Sequence, residues 1–144
     1  MNLKFEKVNF INSKVQEYKK EGYSCGTASL KALAEAYGIS LCLELEYQSM
    51  FFSNGGYVKD RCAFFQSAAV IIGFWFGRID PSVKRDNCRE AMEILSETFS
   101  RKLGGYLCKN MEKCSDFQNE EYVELLSYTV VEALESILKR ISMK

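Results

Sequence analysis

Three of the six cysteines, Cys25, Cys62 and Cys108, each follow a Gly-Tyr dipeptide by two to five residues. Each of them is predicted to begin a helix, where unpaired backbone N–H groups and the helix dipole favour an anion. The anion of cysteine is the thiolate, which is both a nucleophile and a metal ligand, so we expect its pKa to be lowered. Three such sulfurs in one pocket would form a redox site or a metal site.

The residue types that are missing narrow this chemistry. The chain contains no histidine, which excludes Ser-His-Asp and Cys-His catalysis and mixed cysteine–histidine zinc sites. It contains no C-x-x-C motif, which excludes a thioredoxin-type dithiol and the usual zinc-ribbon spacing. The chemistry must therefore come from cysteines, carboxylates, hydroxyl groups or basic side chains.

Two further cysteines, Cys42 and Cys88, lie inside predicted helices. Because cysteine is often a small buried hydrophobe, we interpret both as packing residues. We therefore expect Cys25 or Cys62 to be alkylated faster than Cys42 and Cys88.

The elements that must position these cysteines are predicted to be helices. Residues 41–47 alternate like a strand, but a single strand has no partner, so we interpret them as helical. Asp60 and Asp80 are predicted to cap helices, and Pro81 suits a first helical position. The predicted helices run from the early residues to 20, then over 24–37, 41–52, 60–76, 80–104 and 119–141, with a short helical turn at 106–113.

Residues 63–76 form the most apolar segment, and they are apolar on every side of a helix. Such a helix belongs in the middle of a bundle, with the last helix packed along it. Its fourteen residues are fewer than the roughly twenty that a membrane span needs. The fold class is therefore predicted to be an all-α bundle of five or six helices with one central apolar helix.

Length and charge limit the partners. A chain of 144 residues with 47% hydrophobic residues is the size of one globular domain, covering residues 1–144. Nineteen basic and nineteen acidic residues cancel, and no basic stripe is present, so no nucleic acid is expected as a partner. The N-terminus lacks the apolar region of a signal peptide, so we expect a cytoplasmic protein that does not bind membranes.

The order of the cysteine motifs resembles a family named for its cysteine pattern, C_GCAxxG_C_C, and described as redox-active. The resemblance covers most of the chain and rests on GYSCGTASLKALA at residues 22–34, on residues 55–81 and on residues 99–114. It implies a helical fold and a candidate site formed by Cys25, Cys62, Cys108 and Cys114.

The chain also departs from the family pattern. Both glycines of the GCAxxG motif are replaced, by Arg61 and Gln66. If those glycines allow close approach of a backbone or a cluster, that approach is obstructed here. Many members carry a further cysteine just before the last helix, where this chain has Asn119.

Two hypotheses about function follow. In the first, the chain is a small redox-active or metal-binding protein. Its four thiolates would bind zinc or an iron–sulfur cluster, or Cys25 and Cys62 would cycle between dithiol and disulfide with a redox partner protein. In the second, the chain is a non-catalytic helical module that binds a partner or forms a homo-oligomer, and its cysteine site has decayed. The residues leave both hypotheses open. They also do not decide whether the protein is an enzyme.

Overall fold

The computed structural model describes residues 3–108 and 119–141, and the elements of both segments are helical. The only β-type pairing in these segments is one isolated antiparallel bridge between Arg61 and Leu107. The all-α prediction is therefore confirmed. The α-helices of the described segments are α1 (Leu3–Lys20), α2 (Cys25–Ala36), α3 (Leu43–Ser49), α4 (Ala63–Phe76), α5 (Asp86–Leu103) and α6 (Glu120–Ile141).

Most predicted helix ends lie within a few residues of the observed ones. The chain leaves α1 through Gly22, whose φ of 96° favours glycine, and α2 begins directly after Ser24. The alternating segment is helical from Leu43 onwards, and α3 continues into a 3₁₀ turn at Met50–Phe52.

Two predicted helix caps are wrong. The Asp80 carboxylate accepts hydrogen bonds from the Ser82 N–H and hydroxyl, at 2.9 and 2.8 Å, and so closes a local turn. Helix α5 therefore begins five residues later than predicted, at Asp86 instead of Pro81. Asp60 does not cap α4 either, because Cys62 occupies the N-cap position.

Helices α4 and α6 lie at the centre of the bundle. Helix α4 packs against α2, α5 and α6, and α6 packs in addition against α1. The buried side chains form one cluster that includes Ile11, Leu33, Phe64, Phe99 and Leu134. The first turns of α4 are buried, but its C-terminal part reaches the surface, where Phe74 is 51% exposed.

Two further predictions concern the chain after α5 and the membrane. The helical turn predicted at 106–113 lies partly outside the described residues, and its described part contains the Leu107 bridge. Within the two described segments, every helix is too short or too polar to cross a bilayer.

Candidate functional site

Cys25, Cys62 and Cys108 line one narrow cavity, which we call the thiol cavity. Its remaining wall includes Asn54 and Tyr122. The space that the centre of a water molecule can occupy is about 20 Å³, enough for one water-sized molecule. Three sulfurs that are far apart in sequence therefore share one small enclosure.

Helices α2 and α4 bring Cys25 and Cys62 to the same end of the bundle. Cys25 is the first residue of α2, and Cys62 directly precedes α4. Just inside each helix, the hydroxyl oxygens of Ser29 and Ser67 lie 2.8 Å apart in a buried hydrogen bond. This contact holds the two helix starts side by side, so that both N-termini lie beside the thiol cavity.

Gly26 allows the start of α2 to pack directly against the end of α3 and the residues that follow it. A Cβ atom at this position would collide with the backbone carbonyl oxygen of Ser49. The Gly26 N–H donates a hydrogen bond of 3.1 Å to the Ser53 hydroxyl. Glycine is thus required directly after Cys25 by packing, and this contact fixes where Cys25 lies.

A short antiparallel pairing joins the backbone segment of Cys62 to that of Cys108. The Cys62 N–H donates to the Tyr106 carbonyl at 2.8 Å, and the Cys108 N–H donates to the Asp60 carbonyl. The bridge between Arg61 and Leu107 lies between these two hydrogen bonds. Arg61, which replaces a family glycine, does not prevent this backbone approach.

Aromatic contacts anchor the segment that carries Cys108. The Tyr106 ring stacks on Phe65 of α4, with ring centroids 4.5 Å apart and planes 17° apart. Phe65 in turn meets Phe99 of α5 edge to face at 5.2 Å. The tyrosine of the third Gly-Tyr dipeptide therefore holds its cysteine against the N-terminal turn of α4.

Burial raises the pKa of the Cys62 thiol to about 11. The backbone N–H groups of Phe65 and Phe64 act in the opposite direction, although neither makes a full hydrogen bond to the sulfur. A charge on Cys25 raises the pKa of Cys62 further. The predicted lowering is therefore wrong for Cys62, because removing the thiolate from water outweighs the favourable helix N-terminus.

The cysteines of the thiol cavity differ in oxidation state. Cys25 and Cys62 are free thiols, whereas Cys108 takes part in a disulfide. Cys25 is partly exposed, whereas Cys62 and Cys108 are buried. Cys114, the fourth cysteine of the predicted site, lies outside the described residues. The cavity thus places two thiols beside a disulfide sulfur.

The other two cysteines lie away from this cavity. Cys42 is exposed and lies at the N-cap of α3, which begins at the next residue, Leu43. Its interpretation as a buried residue inside a helix is therefore wrong. Cys88 is partly buried in α5 and packs against the core, as predicted. The expected labelling order stays a prediction; Cys62 is buried and Cys42 is exposed, whereas Cys25 is partly exposed.

A metal site is not supported by the part of the chain that the structure describes. Among residues 3–108 and 119–141, no group of three or more cysteine or carboxylate side chains is arranged to hold a metal ion. A disulfide sulfur such as that of Cys108 is also not the thiolate that zinc and iron–sulfur clusters require. These residues therefore do not fit zinc or an iron–sulfur cluster, and the predicted four-thiolate site, which includes Cys114, stays untested.

Tyr122 in the first turn of α6 was not predicted as a residue of the site. The side chain is buried, and its hydroxyl has no hydrogen-bond partner among the described residues. The carbonyl oxygen of the Asn119 side chain accepts a hydrogen bond of 3.1 Å from the Tyr122 N–H and so caps α6. The one signal in the sequence that could have identified it is a polar hydroxyl group on the buried face of α6, in the first turn of the helix.

Comparison with known proteins agrees with the resemblance seen in the sequence. A family model described as "Putative redox-active protein (C_GCAxxG_C_C)" matches residues 23–135, which include all four cysteines of the predicted site. Neither the curated proteins nor the solved structures contain a significant match.

Proposed function

We propose that this chain, which belongs to the C_GCAxxG_C_C family, transfers electrons by thiol–disulfide exchange inside the thiol cavity. The observation that carries the proposal is that two free thiols, Cys25 and Cys62, line the same cavity as the disulfide-bonded Cys108. Thiol–disulfide exchange needs these components and no metal.

The first step is attack of the Cys62 thiolate on the Cys108 sulfur. A bond forms between these two sulfurs, and the bond from Cys108 to its original partner sulfur breaks. That partner leaves as a thiolate and takes up a proton. The backbone pairing of residues 60–62 with 106–108 keeps the attacking and attacked sulfurs in neighbouring positions.

The second step is attack of the Cys25 thiolate on the Cys62 sulfur. A Cys25–Cys62 disulfide forms, and Cys108 leaves as a thiolate that takes up a proton. Two electrons have then moved from the Cys25–Cys62 pair to the disulfide of Cys108, with no external oxidant. In this scheme Cys62 attacks first and Cys25 resolves the mixed disulfide.

The new disulfide must then be reduced from outside, and a disulfide substrate must accept two electrons to re-form the disulfide of Cys108. Cys25 is the partly exposed member of the pair, so we propose that a redox partner protein with its own dithiol attacks there. A disulfide that forms and breaks in a catalytic cycle is compatible with a cytoplasmic location, where structural disulfides are rare. We therefore propose a cytoplasmic location.

Disulfide mapping across a redox titration tests this function. The chain is equilibrated in dithiothreitol buffers of increasing potential, quenched in acid, and mapped by mass spectrometry. We expect the Cys25–Cys62 disulfide to appear as the buffer becomes more oxidising, while Cys42 and Cys88 stay free. If Cys25 and Cys62 stay thiols throughout, or oxygen-free protein contains stoichiometric zinc or acid-labile sulfide, the exchange proposal is wrong.

A further inference from the structure

Tyr122 brings a hydroxyl group to the thiol cavity that the cysteine motif does not account for. Its side chain is only 9% exposed, and its hydroxyl is fully buried. No hydrogen-bond partner for this hydroxyl exists among the described residues. Buried polar groups are almost always paired, so this hydroxyl is available to a hydrogen-bond acceptor inside the cavity.

Cys62 is the cavity residue whose charge couples to this hydroxyl. Both residues line the thiol cavity, and a charge on Cys62 adds to burial in raising the pKa of Tyr122. Tyr122 therefore keeps its proton at physiological pH and acts as a hydrogen-bond donor. A neutral thiol is a weak acceptor, whereas a thiolate is a strong one.

Helix α6 holds Tyr122 in this position. The cap made by Asn119 fixes the first turn of α6 through the Tyr122 N–H. Leu126, one helical turn later, lines the same cavity. The phenol therefore projects into the thiol cavity from a rigid helix start rather than from a loop.

We infer that Tyr122 donates a hydrogen bond to the Cys62 sulfur when that sulfur becomes a thiolate. The inference rests on the proposed exchange, in which the Cys62 thiolate is the first attacking group. Without such a donor, the buried anion would depend on the two backbone N–H groups of α4 alone. Tyr122 thus contributes a hydrogen-bond donor from α6 to an anion site that α2 and α4 also line.

The test replaces Tyr122 with phenylalanine, which removes the hydroxyl and keeps the ring. The titration of Cys62 is followed in both proteins by the carbon-13 shift of its β-carbon, assigned with Cys62→Ser. Among the described residues, Cys25 and Tyr122 are the titratable groups whose charges couple to that of Cys62. We expect Y122F to lower the thiolate fraction of Cys62 at pH 9 about tenfold, because hydrogen bonding to the charged form favours it.

Thermal unfolding distinguishes this role from a structural one. Because the hydroxyl is unpaired in the neutral state, Y122F should leave the unfolding temperature unchanged or raise it. Tyr128→Phe, on the same helix but away from the thiol cavity, should change neither the titration nor the unfolding temperature.

The role of Tyr122 and the proposed thiol–disulfide exchange can be disproved independently of each other. An unshifted Cys62 titration in Y122F, or a marked loss of thermal stability, would overturn the role of Tyr122 whatever the exchange rate. If the wild-type chain shows no exchange while Y122F still shifts the titration, the hydrogen bond stands and the proposed function is wrong.

Discussion

At the scale of single residues, Cys62 shows two opposing effects on one thiol. The start of α4 favours the thiolate, and burial among Cys108, Phe64 and Tyr122 disfavours it more strongly. At a pKa of about 11, only about one Cys62 in ten thousand is a thiolate at pH 7. Exchange that starts at Cys62 is therefore slow at neutral pH unless the anion is stabilised when it forms.

The raised pKa of Cys62 predicts a loss of stability in alkali. Between its ordinary pKa of 9.0 and the folded value of about 11, the folded chain keeps a proton that the unfolded chain has lost. The free energy of unfolding should therefore fall as pH rises through this window, by roughly 3 kcal/mol in total. Urea denaturation at pH 8 and pH 11 measures this loss.

Cys62→Ser is the control for this prediction, because the pKa values of Tyr18, Tyr37 and Tyr122 are also raised and affect stability in the same direction. The serine variant lacks the thiol and should lose correspondingly less stability than the wild type over the same window. Equal losses in the two proteins would show that Cys62 does not titrate as a buried thiol.

Some features of the site were visible in the sequence at this scale and others were not. The Gly-Tyr dipeptides singled out the three cysteines that line the thiol cavity. The direction of the Cys62 pKa shift was not predictable, since part of its burial comes from residues distant in sequence, such as Cys108 and Tyr122. Tyr122 was hidden because a buried tyrosine fits the apolar periodicity of α6 as well as any core residue does.

At the scale of elements, local signals predicted helices well but misplaced some of their starts. The segment at 41–47 lacked a partner strand, and this argument correctly favoured a helix. Asp80 followed by Pro81 is a strong start signal, yet the Asp80 side chain binds Ser82 instead. A residue that caps helices also closes turns, and tertiary packing decides between the two.

The start of α2 provides a prediction at this scale. Gly26→Ala should destabilise the protein by about 1–3 kcal/mol, because the new methyl group collides with the Ser49 carbonyl. It should also displace Cys25 and slow exchange. Thermal or urea denaturation, together with the disulfide mapping described above, measures both effects.

Gly73→Ala is the matched control for this substitution. Gly73 is also helical, but a Cβ atom there would meet no other group within 4 Å. Alanine should therefore stabilise α4 by about 0.5–1 kcal/mol through its higher helix propensity. If both variants are equally stable, the close approach at Gly26 does not constrain the fold.

At the scale of the whole molecule, the site is a product of contacts between distant segments. The thiol cavity needs the starts of α2, α4 and α6 and residues 106–108 to meet at one end of the bundle. Periodicity is local information, so it identifies helices and their buried faces without saying which helix ends meet. Only the resemblance to the family indicated that the cysteines belong to one site.

The central claim is that electrons move between the Cys25–Cys62 pair and the disulfide of Cys108, and one trapping measurement tests it most directly. Cys25→Ser removes the thiol that resolves the mixed disulfide. N-ethylmaleimide is added to cap the thiol of the cysteine that was disulfide-bonded to Cys108 and is released in the first step. The products are then mapped by mass spectrometry. We expect a Cys62–Cys108 disulfide to accumulate in Cys25→Ser and to be absent when Cys62 is also replaced by serine. A Cys25→Ser protein that keeps Cys62 free and the original disulfide of Cys108 intact would contradict it.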